Sequence, residues 1–166
     1  MINSIIKTTD MKKVLIALDY NPTAQKVAET GYTLAKALKA EVTLLHVITD
    51  PVFYTTTDFS PIMGYNGFVD VTPTVLDSID GLKEASLQYL DKTRQHLGDE
   101  KIDTTVVEGD IAEAILDTAE KLHADVIVLG SHSQKWLENI LMGSATKEVL
   151  NQSKVPLFIV PTKKDH

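Results

Sequence analysis

A chain of 166 residues falls within the usual range for one domain of about 100 to 200 residues, enough to bury roughly two thirds of the surface its unfolded form exposes. With 43% apolar and 23% charged residues its composition is that of a globular protein, and without cysteine it can hold no disulfide, thiolate metal site or thiol nucleophile. A net charge of -7 opposes a polyphosphate backbone, no run approaches the ~20 apolar residues of a membrane span, and residues 1–13 lack the pattern of a signal peptide. A cytoplasmic protein with no nucleic-acid and no membrane partner is therefore expected.

Val14 to Asp19 (VLIALD) is a short apolar run ended by a turn, as in a strand buried on both faces. Asn21 and Pro22 have the character of an N-cap and a first helical residue, and Val27, Gly31, Leu34, Ala35 and Leu38 follow at helical spacing. Glu41 to Ile48 (EVTLLHVI) repeats the strand pattern. From Thr74, the positions Leu76, Ile79, Leu82, Ser86, Tyr89, Leu90, Thr93 and Leu97 form one helical stripe, closed by Gly98 where a left-handed residue is wanted. Ile102 to Val107 alternates apolar with polar residues, which suits a sheet margin. Asp110 and Glu113 form a capping-box variant opening a helix with Ile111, Ile115, Leu116, Ala119 and Leu122 on its apolar face. Asp125 to Leu129 (DVIVL) is the fourth strand, a polar loop spans Gly130 to Met142, and Gly143-Ser144 opens the last helix. Leu157 to Val160 (LFIV), bounded by Pro156 and Pro161, has the form of a short edge strand.

Five strands alternating with four helices predict a single α/β domain: a five-stranded parallel sheet with helices on both faces, Rossmann-like, in the order 3-2-1-4-5. Residues 49–73 have no clear period. This stretch holds Phe53, Tyr54, Phe59, Tyr65 and Phe68, half of the aromatic residues, with no Lys or Arg. It suits a lid or an interface over something apolar and cannot grip a phosphate.

In such a sheet, ligands bind beyond the carboxyl ends of the strands where the winding reverses. That point lies between Ala17, Leu18 and Asp19 on one side and Gly130, Ser131, His132 and Ser133 on the other. Gly143, Ser144, Ala145 and Thr146 add backbone N–H groups and two hydroxyls at a helix start, which attracts anions. The pattern Gly130-x2-Ser133-x9-Gly143-Ser144 is a candidate phosphate cradle; turn glycines and an N-cap serine account for the same spacing. Asp19 either hydrogen-bonds a ribose hydroxyl or caps the following helix, a task Asn21 can also do. His46, inside an apolar strand, reads as a satisfied core histidine. His132 suits either a phosphate donor or an ordinary loop position, and His96, His123 and His166 have no metal spacing with any other residue. The phosphate-loop, GxGxxG and GxSxG motifs are absent, and Ser144-x-x-Lys147 lacks the partner motifs of penicillin-recognising enzymes. Trp136, Leu137, Ile140 and Leu141 have the spacing of a packing face.

Together, KKVLIALD, VTLLHVI, VEGDIAEAIL, ADVIVLGSHS and GSATKEVLNQSKVPLFIVP resemble the universal stress proteins of the nucleotide-binding type, over Lys12 to Pro161. The resemblance implies a five-stranded α/β sheet, a homodimer, and ATP (or AMP) held through Gly-x2-Gly-x9-Gly-Ser/Thr, with any Mg or Mn carried by the phosphates. Carried over, Gly130, Gly143, Ser144 and Ala145 match the phosphate and ribose contacts and Asp19 the ribose-side acid. Ala17 and Val47 match the adenine pocket, with the Val47 backbone reading the adenine edge. Ser133 departs from the family's glycine; its Cβ crowds the triphosphate or its hydroxyl assists. The expected function is a regulatory adenine-nucleotide-binding protein of the stress response, with no catalytic residues beyond slow ATP hydrolysis and with an unknown regulatory protein partner. The alternatives are a nucleotide-free dimeric interaction module with a vestigial crevice and a small-molecule hydrolase.

Overall fold

The computed structural model describes residues 10–20, 22–49, 63–64, 67–68, 79–131 and 144–162. In chain order these form β1 (Lys13–Ala17), α1 (Ala24–Leu38), β2 (Glu41–Ile48), β3 (Met63–Gly64), β4 (Gly67–Phe68), α2 (Ile79–Leu97), β5 (Asp103–Glu108), α3 (Ile111–Leu122), β6 (Val126–Gly130), α4 (Ser144–Gln152) and β7 (Leu157–Val160).

The five longer strands make one sheet in the order β5-β2-β1-β6-β7, with every neighbouring pair parallel. Counted among those five strands alone, this is the expected order 3-2-1-4-5. Helices α1 and α2 cover one face and α3 and α4 the other, because each parallel connection must cross back over the sheet. Strand residues alternate between the two layers. Val14 and Ile16 join Val27, Ala35, Leu82 and Leu90 on the α1/α2 side, while Leu15 joins Leu45, Ile115, Ile127 and Val149 on the α3/α4 side. Leu15, Ile16, Leu44, Leu45 and Ile127 are wholly buried, each burial favouring the fold by roughly 1.5 to 3 kcal/mol. The margins differ from this centre: β5 is only half-buried along its middle, which is why its sequence alternates.

The helix ends show which local signals mattered. Asp110 caps α3, its side chain accepting from the Glu113 N–H, and Gly98 closes α2 at φ +71 with its N–H on the carbonyls of Arg94 and Gln95. By contrast α1 starts at Ala24 after Thr23, which makes no side-chain cap, so the expected start with Asn21 as N-cap and Pro22 as first helical residue is corrected by two residues. Its C-terminus, like that of α3, closes on a non-glycine residue in the left-handed region, Lys39 and His123 respectively.

Within residues 49–73, β3 and β4 pair antiparallel, Met63 with Phe68 and Gly64 with Gly67. Two-residue strands are too short to show a period, so this hairpin was not expected. The remaining aromatic residues of the stretch lie outside the described residues, as do 71–78, including the predicted helix start at Thr74.

The contact between β1 and β6 is short. It runs from Val14 opposite Val126 to Ile16 opposite Val128, whereas β1 with β2 reaches Ala17 opposite Leu45 and β6 with β7 reaches Gly130 opposite Val160. At the amino end the two strands are tied by Asp125, whose carboxylate accepts from the N–H groups of Lys12 and Lys13 at 2.8 and 2.9 Å. The Asp125 N–H in turn donates to the Lys13 carbonyl. At the carboxyl end the pairing of β1 with β6 stops, among the described residues, at Ile16 and Val128, which places the candidate crevice at the reversal of winding.

Candidate nucleotide crevice

The β1 wall of the crevice is built by three consecutive residues. Hydrogen bonding between β1 and β2 ends with the Leu18 N–H on the Leu45 carbonyl at 2.8 Å. Past that point the chain is caught by side chains: His46 Nδ1 donates to the Leu18 carbonyl at 2.8 Å, and the Tyr89 hydroxyl to the Asp19 carbonyl at 3.0 Å. The Tyr20 hydroxyl bonds the Ser86 hydroxyl, which donates on to the Leu82 carbonyl. The rings of Tyr20 and His46 lie 4.1 Å apart between centroids, and those of Tyr20 and Tyr89 5.1 Å. Asp19 and Ala17 are half-buried, while the Leu18 side chain is buried in the α1/α2 core.

His46 is the core histidine expected, with one qualification. It is 3% exposed, and its Nε2 has no hydrogen-bond partner. An unsatisfied buried acceptor costs roughly 1 to 3 kcal/mol. Burial pulls the pKa of the ring from 6.5 to about 4, against the opposing effect of the Leu18 carbonyl, so it is a neutral donor through Nδ1.

On β2, Val47 follows His46. Leu45 presents its carbonyl to β1 and Ile48 presents its own to Gly109 on the β5 side. Because backbone groups alternate along a strand, Val47 turns its N–H and C=O toward β1, beyond the last β1 residue paired with β2. Its side chain is buried in the α3/α4 core.

The opposite wall is Gly130, Ser131 and the start of α4. A Cβ on Gly130 would lie 3.1 Å from both Val27 Cγ2 and Thr162 Cγ2, so packing of the chain's own residues already accounts for glycine there. The Thr146 hydroxyl donates to the Gly130 carbonyl at 2.9 Å and is buried. That bond makes Thr146 a clamp between α4 and β6. Ser131 donates its N–H to the Val160 carbonyl, and its Oγ accepts from the Thr162 N–H at 3.0 Å. Ser144 is the first residue of α4, with Ala145 half-buried behind it. His132, Ser133 and Gly143 lie outside the described residues.

The sequence did not reveal Thr162, Tyr89, Tyr20 and Ser86 as parts of this site. Tyr89 and Ser86 sat in the helical stripe as packing positions, and Thr162 follows the last strand with no pattern of its own. Among the described residues, no group of three or more His, Asp or Glu is placed to hold a metal ion, and no helix is long and apolar enough to cross a membrane.

A family model described as "Universal stress protein family" matches residues 11–161. The chain belongs to that family. Among the universal stress proteins, MJ0577 of Methanocaldococcus jannaschii is 31% identical over 156 residues, spanning 92% of this chain and 96% of that protein. The solved structure of MJ0577 superposes with a TM-score of 0.69 at 27% identity, over 95% of this chain and all of that one. A universal stress protein solved in complex with cAMP has a TM-score of 0.62 at 17% identity, covering 93% of this chain and 100% of that one; it shares the fold.

Proposed function

We propose that this universal stress protein is a regulatory adenine-nucleotide-binding protein of the stress response, taking ATP or AMP in the crevice between β1 and β6. The observation that carries the reading is the arrangement of that crevice. It opens where the winding reverses, between a β1 exit held by three side chains and an α4 start clamped to Gly130 by Thr146. In this reading the backbone edge of Val47, beside Ala17, meets the adenine, and the Asp19 carboxylate meets a ribose hydroxyl. The N–H groups at Gly143, Ser144 and Ala145 take the phosphates with Gly130, Ser131, His132 and Ser133 alongside. The donors suit an anion despite the negative net charge, because fixed dipoles act at contact whereas the diffuse field fades over about 8 Å in physiological salt. Mg or Mn, if taken up, rides on the phosphates.

In this reading the protein acts by binding, with at most slow ATP hydrolysis; in support, His46 on β2, behind the β1 wall, is buried and its Nδ1 proton is given to a carbonyl. A cytoplasmic location, a regulatory protein partner and a homodimer through Leu157 to Val160 belong to the same proposal. Titration calorimetry with ATP, AMP and cAMP on nucleotide-stripped protein tests it. Heat of binding at micromolar to millimolar ligand is the expected result; none up to millimolar would favour a nucleotide-free dimeric module. Gly143→Val should abolish binding with the fold intact, and Ser133→Gly should hold or raise ATP affinity.

A further inference from the structure

Three polar side chains from two elements, His46 of β2 and Tyr89 and Ser86 of α2, converge under a stretch of only three residues. Sheet pairing reaches Leu18 only through its N–H, which makes the last bond between β1 and β2, and leaves the carbonyls of Leu18 and Asp19 to other partners. These carbonyls are taken by His46 from β2 and Tyr89 from α2, residues 28 and 70 positions away. The Tyr20 ring lies against both, anchored through its hydroxyl to Ser86, itself fully buried. An all-apolar filling of the same volume would leave both carbonyls without these donors and the segment free to shift. The polar groups therefore fix the position of the one acidic residue at the end of β1.

We propose that Tyr89 and His46 are positioning residues for the sugar contact. By holding the carbonyls of Asp19 and Leu18, they set the Asp19 carboxylate where it distinguishes a hydroxyl-bearing ribose from a sugar that lacks hydroxyls. The proposal rests on the nucleotide reading above. Displacing a carboxylate by a fraction of an ångström is enough to lose a hydrogen bond while leaving the adenine and phosphate contacts in place.

The experiment compares ATP with 2′,3′-dideoxy-ATP by calorimetry in wild type, Asp19→Asn, Tyr89→Phe, His46→Asn and His46→Leu. Wild type should prefer ATP, and Asp19→Asn should lose that preference. Tyr89→Phe, which removes one oxygen and keeps the ring, should weaken ATP about tenfold and leave the dideoxy nucleotide unchanged, while amide exchange at residues 19 and 20 of the ligand-free protein quickens. His46→Asn, whose amide nitrogen can replace Nδ1 as donor, should keep the preference that His46→Leu loses, so the His46 pair decides the matter even if Tyr89→Phe does not fold. Equal losses for both nucleotides, or an unchanged preference in Tyr89→Phe and His46→Leu, overturn the positioning role alone. Failure of wild type to bind either nucleotide overturns the nucleotide reading itself.

Discussion

His46 is neutral in the folded protein down to about pH 4 because burial disfavours its charged form. The unfolded chain takes up that proton near the ordinary value of 6.5. Between these values acid favours the unfolded state, so stability is full above about pH 6.5 and falls as pH drops toward 4, by roughly 3 kcal/mol in all. Urea unfolding at pH 7 and pH 4.5 should show this decline in wild type and a much smaller one in His46→Asn. An equal decline in both would assign it to groups other than His46. The sequence placed His46 in the core from its apolar neighbours but could not show that its Nδ1 holds Leu18, because that bond depends on where β1 leaves the sheet. The same limit applied to Thr146: a hydroxyl at a helix start has the same appearance whether it faces a ligand or a carbonyl of its own chain.

At the level of elements, β7 differs from the other strands. Leu157 and Ile159 are half-buried and Phe158 is 37% exposed, on a strand that among the described residues pairs on one side only, with β6. An apolar edge without charge favours pairing with another strand, and a two-fold copy of β7 offers one. Proline at 156 and 161 restricts such pairing to about four residues, so an interface of about 800 Å² per partner draws on further apolar surface. Light scattering should give a mass twice 18.3 kDa, and Phe158→Asp should halve it without unfolding the protein; a monomeric wild type would refute the dimer. The elements legible in the sequence were those with strong local chemistry: the apolar runs of β1, β2, β6 and β7, the Asp110 cap and the Gly98 terminus. Those missed lacked it. Thr23 makes no side-chain cap, Lys39 and His123 end helices without glycine, and the hairpin of β3 and β4 is two residues deep.

For the whole molecule, strand order was legible because alternating β and α elements with right-handed crossovers leave few topologies, and the crevice followed from that order. The same order divides the sheet into a β5-β2-β1 half and a β6-β7 half. Within the sheet they meet along three register pairs and the Asp125 tie, which joins residues 112 and 113 positions apart. Within the first half, Lys13 and Glu41 close 28 residues of chain and Thr43 and Asp103 close 60, while at this seam Val14 and Val126 must close 112. The seam is therefore expected to form late, after the folding barrier, and to act as the latch that slows escape from the native state. Asp125→Ala should speed unfolding severalfold in stopped-flow chevrons and leave refolding nearly unchanged; refolding slowed in proportion to the lost stability would place the seam in the nucleus instead. A carboxylate at the closed end of the sheet, opposite the crevice, would then govern how long the crevice persists once formed.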